Sequence, residues 1–509
     1  APRSIRDEIV ARRRARISAE GHALGADVPA ERIAPLVRFL RAPRLVCEIK
    51  RKSPSRGAID AGLDPVELAG RYVDRGVRSV SVLTEEDFFA GSLADLMAVK
   101  RAHPNLAVLR KDFLVDEEDV EVSYRAGADA VLLIASVLSA DELARMHELA
   151  GELGMAALVE LHEDEDFDKA RAFAPPLVGI NARDLSTFRV DLLTPVRLRA
   201  KIDWDHRAVF ESGVFTQEDA LLVSTSGFDG LLVGEAAVRD QDAIGGILAG
   251  LRGRMSAGAA VPGGGGTGGG RAGSADGGVR RATDSRGASG PAPDFWRRLT
   301  SRMRADRPLV KICGVTNRRD AELAAELGAD ALGFVFADSP RRADPAVVRE
   351  LADLPVLKVA VVVTGGAHAP LPPEVRALLE EGLLDAVQFH GDEEPDECAA
   401  QAFPYYKALR LDRPEAADAL ERYRSPRVLV DARDSRAYGG TGTRLSRQTI
   451  DAVRERAPLW LAGGLSPGNI RQVVGDHEPE LVDVSSGLEA EPGRKDEEKL
   501  RRFFEELSL

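Results

Sequence analysis

In the first half of the chain, six polar side chains stand where short apolar runs end. Glu48 and Lys50 are two apart in LVCEIK, so an extended backbone places them on one face. Lys111 follows LAVLR, Glu160 closes AALVE, Asn181 follows LVGI and Glu211 follows AVF. One charged residue at the end of an apolar run reads as a solvated terminus. The same feature at run after run is different, because buried charge is costly unless it is paired or used. Lysines set against carboxylates suit proton transfer, since pairing and burial tune their pKa values. In the second half, Lys311 and Cys313 alternate along LVKIC, Gln388 and His390 lie in VQFHG, and Asp431 ends VLVD. A lone cysteine is usually inert core. A thiolate facing a carboxylic acid, however, is the base and acid pair that an aldose-to-ketose rearrangement requires. Lys311 and nearby backbone N–H groups are expected to favour the Cys313 thiolate. Cys398, in EEPDECAA, is assigned to structure.

These groups need a scaffold that brings strand ends together. Eight β-rich runs alternate with helical stretches in the first half, at 45–49, 79–83, 106–110, 130–134, 155–160, 177–180, 208–210 and 230–234. The second half repeats the rhythm at 309–313, 331–336, 356–363, 385–389, 405–409, 428–431, 459–464 and 481–487. Near-continuous apolar strands alternating with helices imply a parallel sheet covered on both faces. Eight units in each half fit α/β folds of the (β/α)₈ TIM-barrel type, two in tandem. The rival is an open doubly wound sheet, but no GxGxxG turn follows a first strand. In a barrel, the carboxyl ends of the strands converge on one mouth, which gathers the polar residues. Glycines in ESG at 211–213 and LLVGEA at 231–236 follow the seventh and eighth runs, where barrel loops hold phosphate through main-chain N–H groups.

The 509 residues exceed one hydrophobic core and suit two barrels of roughly 200–250 residues each. Between Arg252 and Pro293 the chain carries GGGGTGGG and almost no large apolar side chains, so it is read as a flexible tether. This gives domains at 1–252 and 294–509 with a linker at 253–293, and halves that should be separable. The net charge of −13 argues against nucleic acid as a partner but leaves room for small anionic substrates. Cys47, Cys313 and Cys398 have neither metal-ligand nor disulfide-framework spacing, so a reducing cytoplasm and no metal are expected. The charged N-terminal stretch lacks the apolar core of a signal peptide, and no apolar run is long enough for a membrane span.

CEIKRKSPSRG at 47–57, VLTEEDFFAGSL at 82–93, LRKDFLVDEEDV at 109–120, GADAVLLIASVL at 127–138, VEL at 159–161, VGINARDL at 178–185 and ESGV at 211–214 resemble indole-3-glycerol phosphate synthase, collinearly over residues 4–252. That resemblance implies Lys111 as general acid and Glu160 as general base, with Glu48 and Lys50 assisting proton transfer. Asn181, Glu211 and Ser212 would complete the catalytic set, Ser53, Gly213 and Gly234 would hold phosphate, and Arg183 would meet the substrate carboxylate. From about residue 308, VKICGVTNRRDA, ADALGFVFADSPR, AVQFHGDE, GGTGT, LAGGLSPGN and DVSSGLEAEPGRKD resemble phosphoribosylanthranilate isomerase. The resemblance implies Cys313 as base and Asp431 as acid, with Arg341 meeting the anthranilate carboxylate. Gln388 and His390 would contact substrate, and Gly463, Gly464, Ser485, Ser486 and Gly487 would hold phosphate. The third run departs from the family pattern in KVAVVVTGGAHAPLPP, which bears on how substrate fits there.

The second reaction's product would be the first reaction's substrate, so the fusion is chemically coherent. No cofactor is implied, and the oligomeric state is left open, with a monomer compatible. Two rivals belong to other classes: one barrel acting only as a phosphate-ligand binding or scaffold module, or a broader sugar-phosphate isomerase that also serves histidine biosynthesis. Complete acid and base sets oppose the first. Cys313, where broader relatives carry a carboxylate, opposes the second.

Overall fold

The computed structural model describes residues 5–53, 57–59, 62–184, 189–240, 242–257, 294–365, 370–400, 403–432 and 445–508. The tether expected at 253–293 lies almost wholly outside these residues; the helix Ala243–Ala257 runs five positions past its expected start.

The first half forms strands β1 (Leu45–Ile49), β2 (Ser79–Leu83), β3 (Ala107–Lys111), β4 (Ala130–Ile134), β5 (Ala156–Leu161), β6 (Leu177–Asn181), β7 (Arg207–Glu211) and β8 (Gly230–Val233). All pair in parallel, and β1 pairs with both β2 and β8, which closes the barrel. The second half forms β9 (Leu309–Cys313), β10 (Ala331–Val335), β11 (Leu357–Val362), β12 (Ala386–Phe389), β13 (Tyr405–Leu411), β14 (Val428–Ala432), β15 (Trp460–Ala462) and β16 (Leu481–Val484). Here β9 closes the ring by pairing with β10 and β16. Strands such as SVSVL and AVLLI are buried at every position, as expected where helices cover the sheet. A short antiparallel hairpin, β17 (Glu489–Glu491) and β18 (Arg494–Lys495), follows β16.

Two arrangements bear on the sites. The N-terminal helix Ile5–Glu20 buries Arg13, whose guanidinium lies 2.9 Å from Asp112 and 2.6 Å from Asp119. Asp112 also receives Arg110 at 3.1 Å and the Thr84 hydroxyl at 2.5 Å. The helix is thereby fastened to the end of β3, beside Lys111.

The barrels also contact each other directly. The helix Phe295–Thr300 lies across the amino-terminal end of the second barrel, with Phe295 stacked on Tyr406 and Trp296 against Trp460. One apolar cluster continues from there into Val196 and Leu198 on the first barrel's helix Leu193–Arg199. Arg427, at the entrance to β14, is 3% exposed and makes a two-bond contact with Asp191 of the first barrel at 2.7 and 3.0 Å. Its other edge binds Glu480 at 2.5 and 2.9 Å. A few residues along, Arg189 donates to the Glu455 carbonyl.

Candidate active sites

The first barrel's mouth is lined by Glu48, Lys50, Lys111, Glu160, Asn181, Arg183, Ser212, Gly213 and Gly234. Glu211 reaches the same place through Lys111. The Lys111 ammonium lies 2.8 Å from Glu211 Oε2 and 3.2 Å from Glu160 Oε2, while Lys50 lies 2.6 Å from Glu48. Strand register explains the close grouping. Gly179 on β6 stands between Glu160 on β5 and Val209 on β7. A Cβ at Gly179 would lie 2.0 Å from Glu211 Oε1, so only glycine leaves room for that carboxyl group. The Asn181 amide oxygen accepts from the Arg183 N–H at 3.0 Å, shaping the loop on which Arg183 sits.

The charges do not titrate alike. Burial works against the Lys111 ammonium, but Glu211, Glu160 and Glu48 outweigh it and hold the lysine protonated. Burial also opposes ionisation of Glu160, yet Lys111 and His162 hold it well below the usual carboxylate range. Glu211 moves the other way: burial and the charge of Glu160 push it up to about 8, against the pull of Lys111. Around the held ammonium the two carboxyl groups are thus displaced in opposite directions. Opposite displacement of paired carboxyl groups separates acid from base roles.

His162 was not legible as a site residue. Its Nε2 lies 3.0 Å from Glu160 Oε1, and despite burial Glu160 and Asp166 raise its pKa. Phe89, Phe113, Leu132 and Ile134 supply an apolar wall. The aromatics stand in DFFAG and RKDF, but spacing alone gives them no role. Ser53 lies in the short strand Lys52–Ser53; its side chain and the adjoining 54–56 are outside the described residues.

The second mouth is lined by Cys313, Arg341, Gln388, His390, Asp431, Gly463, Gly464, Ser485, Ser486 and Gly487. GGTGT at 439–443 lies outside the described residues, as does part of the departing loop after β11, at 366–369. Lys311 lies beneath, 2.6 Å from Asp483 and 2.8 Å from the Gln388 amide oxygen. The Gln388 amide nitrogen is 2.8 Å from His390 Nδ1, and His390 Nε2 stands 3.7 Å from Asp431. Burial, then Lys311, Lys407 and Arg410, push His390 down to about 3, so it is a neutral ring. With Gln388 donating to Nδ1, the ring proton sits on Nε2, facing Asp431. A Cβ at Gly333 would fall 2.7 Å from Cys313 Sγ, so that glycine opens the space the thiol occupies.

One expectation needs revision. Cys313 is not tuned toward the thiolate: burial raises its pKa, and Lys311 and Lys495 offset this only in part. The thiol lies on an enclosed strand end, where loss of hydration outweighs the neighbouring ammonium groups. Arg341 lines the cavity, and its guanidinium is held by Glu489 at 2.8–3.1 Å. Asp483, Glu489 and Lys495, all buried, were missed. Their signal was charge within the last apolar run and the GRKD segment.

Two closed (β/α)₈ barrels, each gathering proton-transfer groups and glycine loops at the carboxyl ends of its strands, define a tandem barrel enzyme. The family model described as indole-3-glycerol phosphate synthase matches residues 6–247, and that of N-(5'phosphoribosyl)anthranilate isomerase matches 310–506. An indole-3-glycerol phosphate synthase of a Nocardioides species is 41% identical over 48% of this chain and 93% of its own length. A multifunctional tryptophan biosynthesis protein of Phycomyces blakesleeanus is 30% identical over 91% of this chain and 62% of its own. A solved phosphoribosylanthranilate isomerase of Thermus thermophilus is 37% identical over 39% of this chain and 98% of that one, with a TM-score of 0.34. The chain belongs to the indole-3-glycerol phosphate synthase family through its first barrel and to the phosphoribosylanthranilate isomerase family through its second. It spans about three fifths of the length of the multifunctional relatives it matches. Among the described residues no helix is long and apolar enough to cross a membrane.

Proposed function

We propose that the chain catalyses two consecutive steps of tryptophan biosynthesis. The second barrel isomerises N-(5-phosphoribosyl)anthranilate to 1-(2-carboxyphenylamino)-1-deoxyribulose 5-phosphate. The first closes the indole ring of that product, releasing carbon dioxide and water to give indole-3-glycerol phosphate. The observation that carries this reading is the Lys111–Glu160–Glu211 trio: one ammonium 3.2 Å and 2.8 Å from two buried carboxyl groups at the mouth of the first barrel.

In the isomerase step, Asp431 gives a proton to the furanose ring oxygen as the C1'–O bond opens to an iminium. Cys313 then takes the proton from C2', and the resulting enolamine becomes the ketone. Arg341 meets the anthranilate carboxylate, Gln388 and His390 face the sugar, and Gly463, Gly464, Ser485, Ser486 and Gly487 hold phosphate. In the synthase step, Lys111 polarises the carbonyl and protonates its oxygen as the aromatic carbon bearing the carboxylate attacks. Carbon dioxide leaves that carbon, the new hydroxyl takes a second proton delivered through Lys50 and Glu48 and departs as water, and Glu160 collects the proton lost from the carbon beside the nitrogen. Glu48 and Lys50 assist the transfer, and Asn181, Glu211 and Ser212 complete the set. Arg183 meets the carboxylate, and Ser53, Gly213 and Gly234 hold phosphate. The substrates are small phosphorylated anions, and no nucleic acid, membrane or metal takes part. A cytoplasmic location fits three free cysteines. Each step assayed separately on purified protein tests the proposal: both rates should appear, and absence of either refutes the assignment of its barrel.

A further inference from the structure

Behind the second site lies a charge cluster that neither proton-transfer role uses. Lys495, on β18, has a side chain with no exposure to solvent. Its ammonium donates to the Cys313 carbonyl at 2.6 Å, the Ser485 carbonyl at 3.3 Å and Glu489 Oε1 at 3.1 Å. Three donors thus meet three acceptors from three elements: the end of β9, the loop after β16, and β17. Glu489 in turn receives the Nε–Nη2 edge of Arg341 through two bonds. The hairpin itself is tied down, since the Lys495 N–H donates to Asp320 at 2.7 Å and Lys499 donates to the Glu489 carbonyl at 2.7 Å. A buried ammonium with one carboxylate partner is an expensive way to close a barrel end, because a neutral side chain of similar length would fill the space. What the ammonium adds is a fixed distance between two strand-end carbonyls and a positive charge beside Cys313.

We propose that Lys495 is a positioning residue for the second barrel's reaction: it locks the strand end carrying Cys313 to the Ser485 loop, while its partner Glu489 holds Arg341 in place. This deepens the isomerase reading and rests on it for the identity of the reaction. Arg341, Glu489 and Lys495 together carry one net positive charge, so the cluster accepts one further anionic group without leaving a charge uncompensated. A substrate carboxylate at Arg341 supplies that group.

The charged and titratable groups around the Cys313 thiol are Lys311 on its own strand, Asp483 on β16, Lys495 on β18 and Tyr406 on β13. Arg341, His390 and Asp431 line the rest of the cavity. Lys311 and Lys495 favour the thiolate, and Asp483 opposes it. Removing Lys495 must therefore shift thiol ionisation to higher pH. Loosened packing alone would hydrate the thiol and shift its ionisation the other way, to lower pH.

The test uses the full chain and the iodoacetamide alkylation rate of Cys313 as a function of pH, read by peptide mass spectrometry. Lys495→Met should slow alkylation at pH 7 about tenfold, the effect of moving the thiolate population by one pH unit. Isomerase kcat should fall and KM rise in Lys495→Met, with synthase turnover in the same molecule unchanged. An unchanged alkylation midpoint in Lys495→Met overturns the proposal, as does one that moves to lower pH. If Lys495→Met unfolds the second barrel, seen as lost protection from proteolysis while synthase activity persists, Lys495→Gln is read in its place with the same two outcomes. Alkylation does not depend on turnover. Shifted midpoints in a chain with no isomerase activity would therefore sink the functional reading and leave the placement of Lys495 standing.

Discussion

At the scale of single residues, Lys111 carries the heaviest claim. It is the only ammonium within 3.2 Å of both Glu160 and Glu211 among the described residues. Lys111→Ala should reduce ring closure by about 10²–10⁴-fold, the usual contribution of a positioned proton donor. Isomerase turnover, measured on the same sample, should be unchanged; an equal fall in both would indicate unfolding. Glu211 gives a pH prediction. With its pKa pushed up to about 8, it is protonated below that pH and ionised above it. Ionisation places a second negative charge beside Glu160 and tightens the hold on the Lys111 proton, so synthase kcat should decline through about pH 8. Glu211→Gln keeps the neutral form and should flatten that limb; a limb that persists in the variant rules this assignment out. Cys313→Ser should remove most isomerase turnover, because a hydroxyl is a far weaker base than a thiolate. Cys398, buried and pushed up to about 12 mainly by burial, should tolerate the same change with both rates intact.

At the scale of elements, glycines inside strands place the acid and base groups. Gly179 and Gly333 each face a reactive side chain at a distance that a methyl group would occupy. Gly179→Ala should displace the Glu211 carboxyl, cost about 1–3 kcal/mol from overpacking, and lower synthase turnover. Denaturant unfolding and the synthase assay together check this, and full activity in a stable variant would count against the packing argument. The strands themselves were legible, because runs such as SVSVL and LVKIC are apolar throughout and punctuated by helical stretches. Strand-end residues followed from the barrel geometry. Residues whose meaning depends on distant partners did not. His162 matters through Glu160, Arg13 through Asp112 nearly a hundred positions away, and Lys495 through Cys313. Net titration was equally hidden. Lys311 beside Cys313 suggested an activated thiol, but the degree of burial decides the sign, and burial is a property of the assembled barrel.

At the scale of the molecule, the two barrels are joined by more than covalent tethering. Arg427 bridges Asp191 of one barrel and Glu480 of the other while almost wholly buried. We propose that cleavage within 258–293 leaves two active pieces that stay associated. Arg427→Ala strands Asp191 and Glu480 without their cation and should weaken that association by about 3 kcal/mol. Size-exclusion chromatography of the cut chain reads the result, and cut wild-type halves that separate freely would contradict it. Each barrel keeps its own mouth and its own acid and base set, and the central claim is that these perform successive reactions. The most direct measurement follows phosphoribosylanthranilate added to purified wild-type, Lys111→Ala and Cys313→Ser chains, with a chelator present throughout. Wild type should produce indole-3-glycerol phosphate. Lys111→Ala should stop at the carboxyphenylamino-deoxyribulose phosphate. Cys313→Ser should leave the starting compound untouched yet convert that intermediate when it is supplied. Indole-3-glycerol phosphate formed from phosphoribosylanthranilate at near wild-type rate by either variant would contradict the account.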